Sequence, residues 1–188
     1  MKRLHGWGLA AALATVMLGG TGAALAQPAQ VAPAQPATTR EPDAASVDSI
    51  VAALYDVISG PAGAPRNWNR MRALFAPDAR LTVIQPRPDG GHALRAMTVE
   101  DYISRNMSTF NTAGFYEREV ARTTEAFGQL VHVFSTYELL RSPQDPKPFM
   151  RGINSIQLYH DGTRWWVVTV FWDSERVDNP IPDAYLPG

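Results

Sequence analysis

Three runs decide the fold: Phe127–Leu140 (FGQLVHVFSTYELL), Met150–Tyr159 (MRGINSIQLY) and Arg164–Asp173 (RWWVVTVFWD). All are rich in Val, Ile, Phe, Tyr and Trp, residues that suit a pleated, half-buried surface, so each is predicted as a strand. The second and third are joined by His160-Asp161-Gly162-Thr163, whose Asp-Gly step signals a hairpin. The link between the first and second, Arg141–Pro148 (RSPQDPKP), holds three prolines and reads as a loop, because proline cannot donate to a sheet ladder.

Upstream of these runs the pattern turns helical. Ser46 is placed as an N-cap, with Asp48 in the first turn, and Val47, Ile50, Val51, Leu54, Val57 and Ile58 recur at helical spacing before Gly60-Pro61 stops the element. A short second helix is predicted over Asn67–Phe75, ended by Pro77, and a strand over Arg80–Gln85. Pro86–Gly91 is read as a loop. Thr98 caps a third helix, Val99–Phe110, and a further strand, Phe115–Thr123, precedes the three runs. The order helix, helix, strand, helix, four strands predicts an α+β domain, a curved antiparallel sheet wrapped around N-terminal helices.

The ends of the chain read differently. Lys2 and Arg3 precede an apolar run, Trp7–Leu18, and Ala24-Leu25-Ala26 offers small residues for cleavage, so residues 1–26 are expected to be a secretory signal peptide, with an uncleaved anchor as the alternative, and the protein to be periplasmic or secreted. Residues 27–45 are Pro-, Ala- and Gln-rich without an aromatic residue and are expected to be a disordered linker. The folded domain is placed at 46–176, and 177–188 as an extended tail that packs Tyr185 and Leu186 on the domain.

Composition narrows the function classes. With no cysteine, disulfides and thiolate metal sites are excluded together, so the domain is held by its core. Loss of Lys2 and Arg3 leaves 15 basic against 18 acidic residues, which argues against nucleic acid or, after signal cleavage, a membrane as partner. No histidine cluster at metal spacing, H-E-x-x-H, G-x-S-x-G or phosphate-binding loop is present, and no cofactor or metal is expected.

The element order, the turn Phe75-Ala76-Pro77-Asp78-Ala79 and the Asp-Gly-Thr-Arg-Trp-Trp entry to the last strand together resemble the NTF2-like (SnoaL-like, cystatin-like cone) superfamily over about residues 46–176. That resemblance implies a sheet curled around a pocket closed by helices. It does not choose an activity, since the superfamily holds isomerases, dehydratases, cyclases, hydrolases and non-catalytic binding domains. The ketosteroid isomerases of that superfamily use a tyrosine, a carboxylate base and a carboxylic acid donor. On this chain the tyrosine position falls near Ile50, the base position in Thr82–Gln85 (no carboxylate there), and the donor position at Asn154.

Strand periodicity assigns the pocket wall. The more apolar faces place Val133, Ser135, Tyr137, Asn154, Ile156, Val168, Val170 and Trp172 inward, with Tyr55, Trp68, Phe75 and Phe110 closing it from the helices. The candidate ligand-binding residues are Tyr137, Asn154, Ser135, Trp172, Tyr55 and Trp68. No catalytic residue is assigned. Glu117 and Glu119, flanked by Arg118 and Arg122, are read as part of a solvated, salt-bridging strand, and His132 as lying on a polar outer face. The opposite face of the last strand, with Trp165, Val167 and Phe171, suggests a homodimer formed sheet to sheet.

These residues predict a domain that binds a small hydrophobic molecule, without catalysis. The alternatives are a lyase or isomerase using Tyr137, Asn154 and an unidentified base, or a structural dimer with a filled core. A deep cavity with an ionisable group in hydrogen-bond reach of Asn154 or Tyr137 would favour the enzyme.

Overall fold

A computed structural model describes residues 42–188. The expected signal peptide and nearly all of the expected linker lie outside the described residues. The elements are helices α1 (Val47–Ile58) and α2 (Trp68–Leu74), strands β1 (Phe75–Pro86) and β2 (His92–Met97), helix α3 (Val99–Thr112), and strands β3 (Tyr116–Phe127), β4 (Leu130–Leu140), β5 (Met150–His160) and β6 (Trp165–Ser174). A single 3-10 turn, Asp183–Tyr185, follows. The six strands form one sheet in the order β2-β1-β6-β5-β4-β3, antiparallel throughout except where β1 runs parallel to β6.

The helix starts follow their caps. Ser46 accepts from the Ser49 amide while the Ser49 hydroxyl accepts from the Ser46 amide, and Thr98 and Asp101 repeat that reciprocal arrangement at α3. Asn67 accepts from the Arg70 amide at the start of α2. The linking loop is folded around Arg66. Its buried guanidinium donates to the carbonyls of Ile58, Gly60, Pro61 and Ala64 at 2.7–3.2 Å and lies over the Phe110 ring. A guanidinium, with five donors in a fixed fork, can satisfy that many loop carbonyls at once.

α1 buries Ile50, Val51, Ala53, Tyr55, Val57 and Ile58, and these meet the inward residues Val131, Val133, Ile156, Leu158, Val167 and Val170 of the sheet in one continuous core. The fold also takes in two residues read as linker: Ala44 is buried and accepts from the Trp165 amide, and Asp43 pairs with Arg70.

Several boundaries differ from the sequence reading. β2 lies in a stretch to which the sequence reading assigns no element: HALRAM has little β-branched or aromatic character, and pairing with β1 alone makes it a strand. β1 is longer than expected and starts at Phe75, through an irregular register beside β6. Phe127 closes β3 instead of opening the next strand, because Gly128 at φ +56° makes a tight turn there.

The largest correction concerns β6. Leu158 pairs with Val167 but Gln157 with Thr169, so Val168 is an extra residue and the inward set switches parity across it. Val167, expected outside, is fully buried. Val168, expected in the pocket wall, is exposed, and Trp165 packs against the core.

The tail lies on the outer face of the sheet. Ile181 is buried, the Tyr185 ring meets Phe134 edge-on at 5.0 Å, and the Thr136 hydroxyl donates to the Tyr185 carbonyl at 2.6 Å.

Candidate functional site

Between α1, α3 and the curved sheet lies a cavity of about 490 Å³. That volume suits a molecule of drug-like size. The wall is mostly apolar: Leu54, Met71, Phe75, Leu81, Ile156 and Val170 are among its residues. Four of the six candidate ligand-binding residues, Tyr55, Tyr137, Asn154 and Trp172, line it. Two do not. Ser135 is wholly buried behind the wall, where its hydroxyl is 2.7 Å from that of Tyr55. Trp68 packs on Phe110 at 5.5 Å instead. Val133 and Phe110, also expected in the wall, are core residues outside the cavity lining.

Asn154 is where the polar atoms converge. Its amide nitrogen donates to the Tyr55 hydroxyl at 3.1 Å and to a carboxylate oxygen of Glu117 at 3.1 Å. The Ser135 hydroxyl donates to Glu119 at 2.5 Å, which leaves the Tyr55 hydroxyl as donor to Ser135. Glu119 pairs with Arg122, and Arg122 reaches Asp48 on α1 at 2.7 Å. A chain of hydrogen bonds thus holds the Asn154 amide in one orientation, with both of its donor protons spent.

Glu117 is the residue the sequence reading did not place in the site. It sits opposite Leu139, on the same inward face as Glu119 opposite Tyr137, while Arg118 points outward to Glu138. Glu119 does form the expected ion pair. Glu117 lines the cavity, and among the described residues no cation pairs with it. Burial without a counter-charge pushes its carboxyl up to about 7, against the lesser opposing effect of the Asn154 hydrogen bond.

The phenols around it keep their protons. The Tyr102 hydroxyl makes no hydrogen bond among the described residues, yet the side chain lines the cavity beside Trp172, whose ring it meets edge-on at 6.4 Å. The Tyr137 hydroxyl lies 3.2 Å from that of Ser174. Burial first, then the neighbouring Glu117 charge, raises both Tyr102 and Tyr55 well above the ordinary phenol range, so both stay protonated. Tyr137 is raised as well, chiefly by burial. It crosses directly over its cross-strand partner Gly152, where a β-carbon would stand 2.4 Å from the phenol oxygen and 2.4 Å from the Asp173 carbonyl. Only glycine leaves room for the tyrosine to lie flat across the sheet.

The other candidates stay outside. His132 bridges Glu125 and Ser155 on the outer face, and Asp173 pairs with Arg176. No group of three metal-ligating side chains occurs among the described residues.

No family model matches this chain, and no curated protein matches it either. Solved structures do. A cystatin-like-fold protein of unknown function from Nostoc punctiforme aligns at TM-score 0.52 with 10% identity, over 70% of this chain and 90% of its own. A structure described as a calcium/calmodulin-dependent protein kinase type II association domain, from Thiobacillus denitrificans, aligns at 0.53 with 16% identity, over 72% of this chain and 100% of its own. One described as the β subunit of an aromatic-ring-hydroxylating dioxygenase, from Novosphingobium aromaticivorans, aligns at 0.52 with 13% identity, over 72% and 94%. The chain has the α+β cone of the NTF2-like, cystatin-like proteins. At these identities the likeness is one of fold.

Proposed function

We propose that the cone takes up a small, mainly apolar molecule bearing a carbonyl group, and that Glu117 moves a proton to or from the carbon beside that carbonyl. This is chemistry of the isomerase and lyase type. The observation that carries the proposal is the cavity-lining carboxyl hydrogen-bonded to Asn154 with no cation paired to it among the described residues. A carboxyl balanced near neutrality can accept a proton in one step and return it in the next. The free Tyr102 hydroxyl supplies a donor for the negative charge that gathers on the carbonyl oxygen when the proton leaves. The mostly apolar wall lowers the local dielectric, which strengthens both interactions.

The test is hydrogen–deuterium exchange of 2-tetralone in deuterated buffer, followed by proton NMR. The native protein should speed exchange beside the carbonyl, with a rate that rises through pH about 7 as the carboxyl ionises. Glu117→Gln should lose that acceleration while still binding the ketone. Binding without exchange that depends on Glu117 would return the cavity to a carrier of small hydrophobic molecules, without catalysis.

Two sequence expectations join this reading as proposals. The first 26 residues support export to the periplasm or beyond. The exposed Leu130, Tyr159, Val168 and Phe171 support a homodimer through the sheet, which sedimentation equilibrium would test.

A further inference from the structure

The cavity lining is polarised in charge. Glu117 is its sole carboxylate among the described residues, whereas Arg95, Arg105 and Arg141 all belong to it. The lining residues that are exposed come from three places: Arg95 on β2, Arg105 and Thr109 on α3, and Arg141, Phe149 and Met150 around the β4–β5 loop. Being exposed, they mark where the cavity meets solvent. The solvent-facing part of the lining therefore carries three guanidinium groups together with apolar side chains, while Glu117, Asn154 and the rest of the wall are less exposed.

Two of these cations lack a direct partner, although the Arg105 charge is felt by Asp101. Six other arginines (70, 72, 118, 122, 151 and 176) each pair with a carboxylate. The guanidinium groups of Arg95 and Arg105 make no ion pair or hydrogen bond among the described residues. Arg141 is partly used: its guanidinium lies over the Phe149 ring at 3.9 Å. The acidic group next to Arg105, Asp101 one turn earlier, is engaged in the α3 cap by the Thr98 amide and hydroxyl. Near the loop, the Asp145 carboxylate accepts from the Arg141 and Ser142 amides. The whole chain carries a formal charge of −1, so the concentration of unpaired positive charge at this mouth is local.

We infer that the molecule this cavity takes is an amphiphile with one anionic group, whose apolar body fills the cone while its oxyanion is held at the mouth by Arg95 and Arg105. The shared chemistry is a carboxylate, sulfonate or phosphate on an apolar ring system. Guanidinium matches all three through paired N–H donors. The inference rests on the cavity being a binding site and stands apart from proton transfer by Glu117.

The test compares two fluorescent probes with the same apolar body, N-phenyl-1-naphthylamine, which is neutral, and 1-anilinonaphthalene-8-sulfonate, which adds the anion. Val83→Trp, which fills the cavity from its wall, is the site control. Both probes should bind the native protein and be lost in Val83→Trp. The sulfonate should bind more tightly at low salt and lose that advantage as salt rises. The double variant Arg95→Ala/Arg105→Ala should weaken the sulfonate about tenfold and leave the neutral probe unchanged. Equal affinity for the two probes, or a sulfonate indifferent to the double variant, would overturn the inference and leave the cavity reading intact. Probe binding that survives Val83→Trp, or no binding of either probe, would remove the cavity reading and the inference with it.

Discussion

Replacing Glu117 by Gln should reveal, through stability alone, that a carboxyl is buried in the cone. The amide keeps the size of the side chain and an oxygen to accept from Asn154, so only the ionisation is removed. The ordinary carboxyl value is 4.5 and the folded one about 7. Below 4.5 the group is protonated in both the folded and the unfolded chain, and it costs nothing. Between those values the folded chain holds a proton that the unfolded chain has released, so stability falls as pH rises. Above about 7 the full cost is present. At about 1.4 kcal/mol for each tenfold change in proton affinity, the interval amounts to roughly 3 kcal/mol.

Urea denaturation of both proteins at half-unit steps from pH 4.5 to 8.5 measures this directly. Titrations common to the two cancel in the difference. The stability of Glu117→Gln minus that of the native protein should rise by about 3 kcal/mol across this range and level off above neutrality. A flat difference would show that the carboxyl ionises as freely in the fold as in water, and the account of its environment would be refuted. So would a difference that falls with pH, since that would require a cation partner.

Asn154→Leu should destabilise the protein by about 1–3 kcal/mol, because the Tyr55 hydroxyl and Glu117 lose a buried donor. It should also push the Glu117 carboxyl higher still, read as the midpoint of its side-chain carbon resonance in NMR. Gly152→Ala should cost about 1–3 kcal/mol in denaturant titration and move Tyr137, whose near-ultraviolet circular dichroism would change. Arg66→Met should cost at least about 2 kcal/mol, since it strips the shared donor from four loop carbonyls while keeping an apolar stem against Phe110.

The element types and their order were legible in the sequence wherever local chemistry is strong. The caps at Ser46 and Thr98, the apolar stripe of α1, the Asp-Gly turn and the Val-, Ile- and Trp-rich strands each declare themselves within a few residues. The inward set of β5, Gly152, Asn154, Ile156 and Leu158, follows period 2 without interruption, and so Asn154 was found. Where the reading failed, information from a neighbour was missing. β2 has no strand character until β1 pairs with it. The parity switch at Val168 is invisible in WWVVTVFWD, because every residue there could face either way and only the register against β5 chooses.

Glu117 is the same problem in the site itself. β3 lies at the sheet edge, and its sequence, YEREVARTTEAF, has no alternation of apolar and polar residues to mark a buried side. The nearby arginines suggest a solvated strand. Pairing with β4 turns Glu117 inward and sends Arg118 to the opposite face. The sequence by itself determined an α+β cone with an amide in its wall, because helix caps and strand periodicity are local and repeat over many residues. Tertiary structure alone decided that a carboxyl meets that amide and that guanidinium groups from β2, α3 and the β4–β5 loop line the same cavity. Charge and burial belong to neighbours far apart in the chain, and no local pattern encodes them.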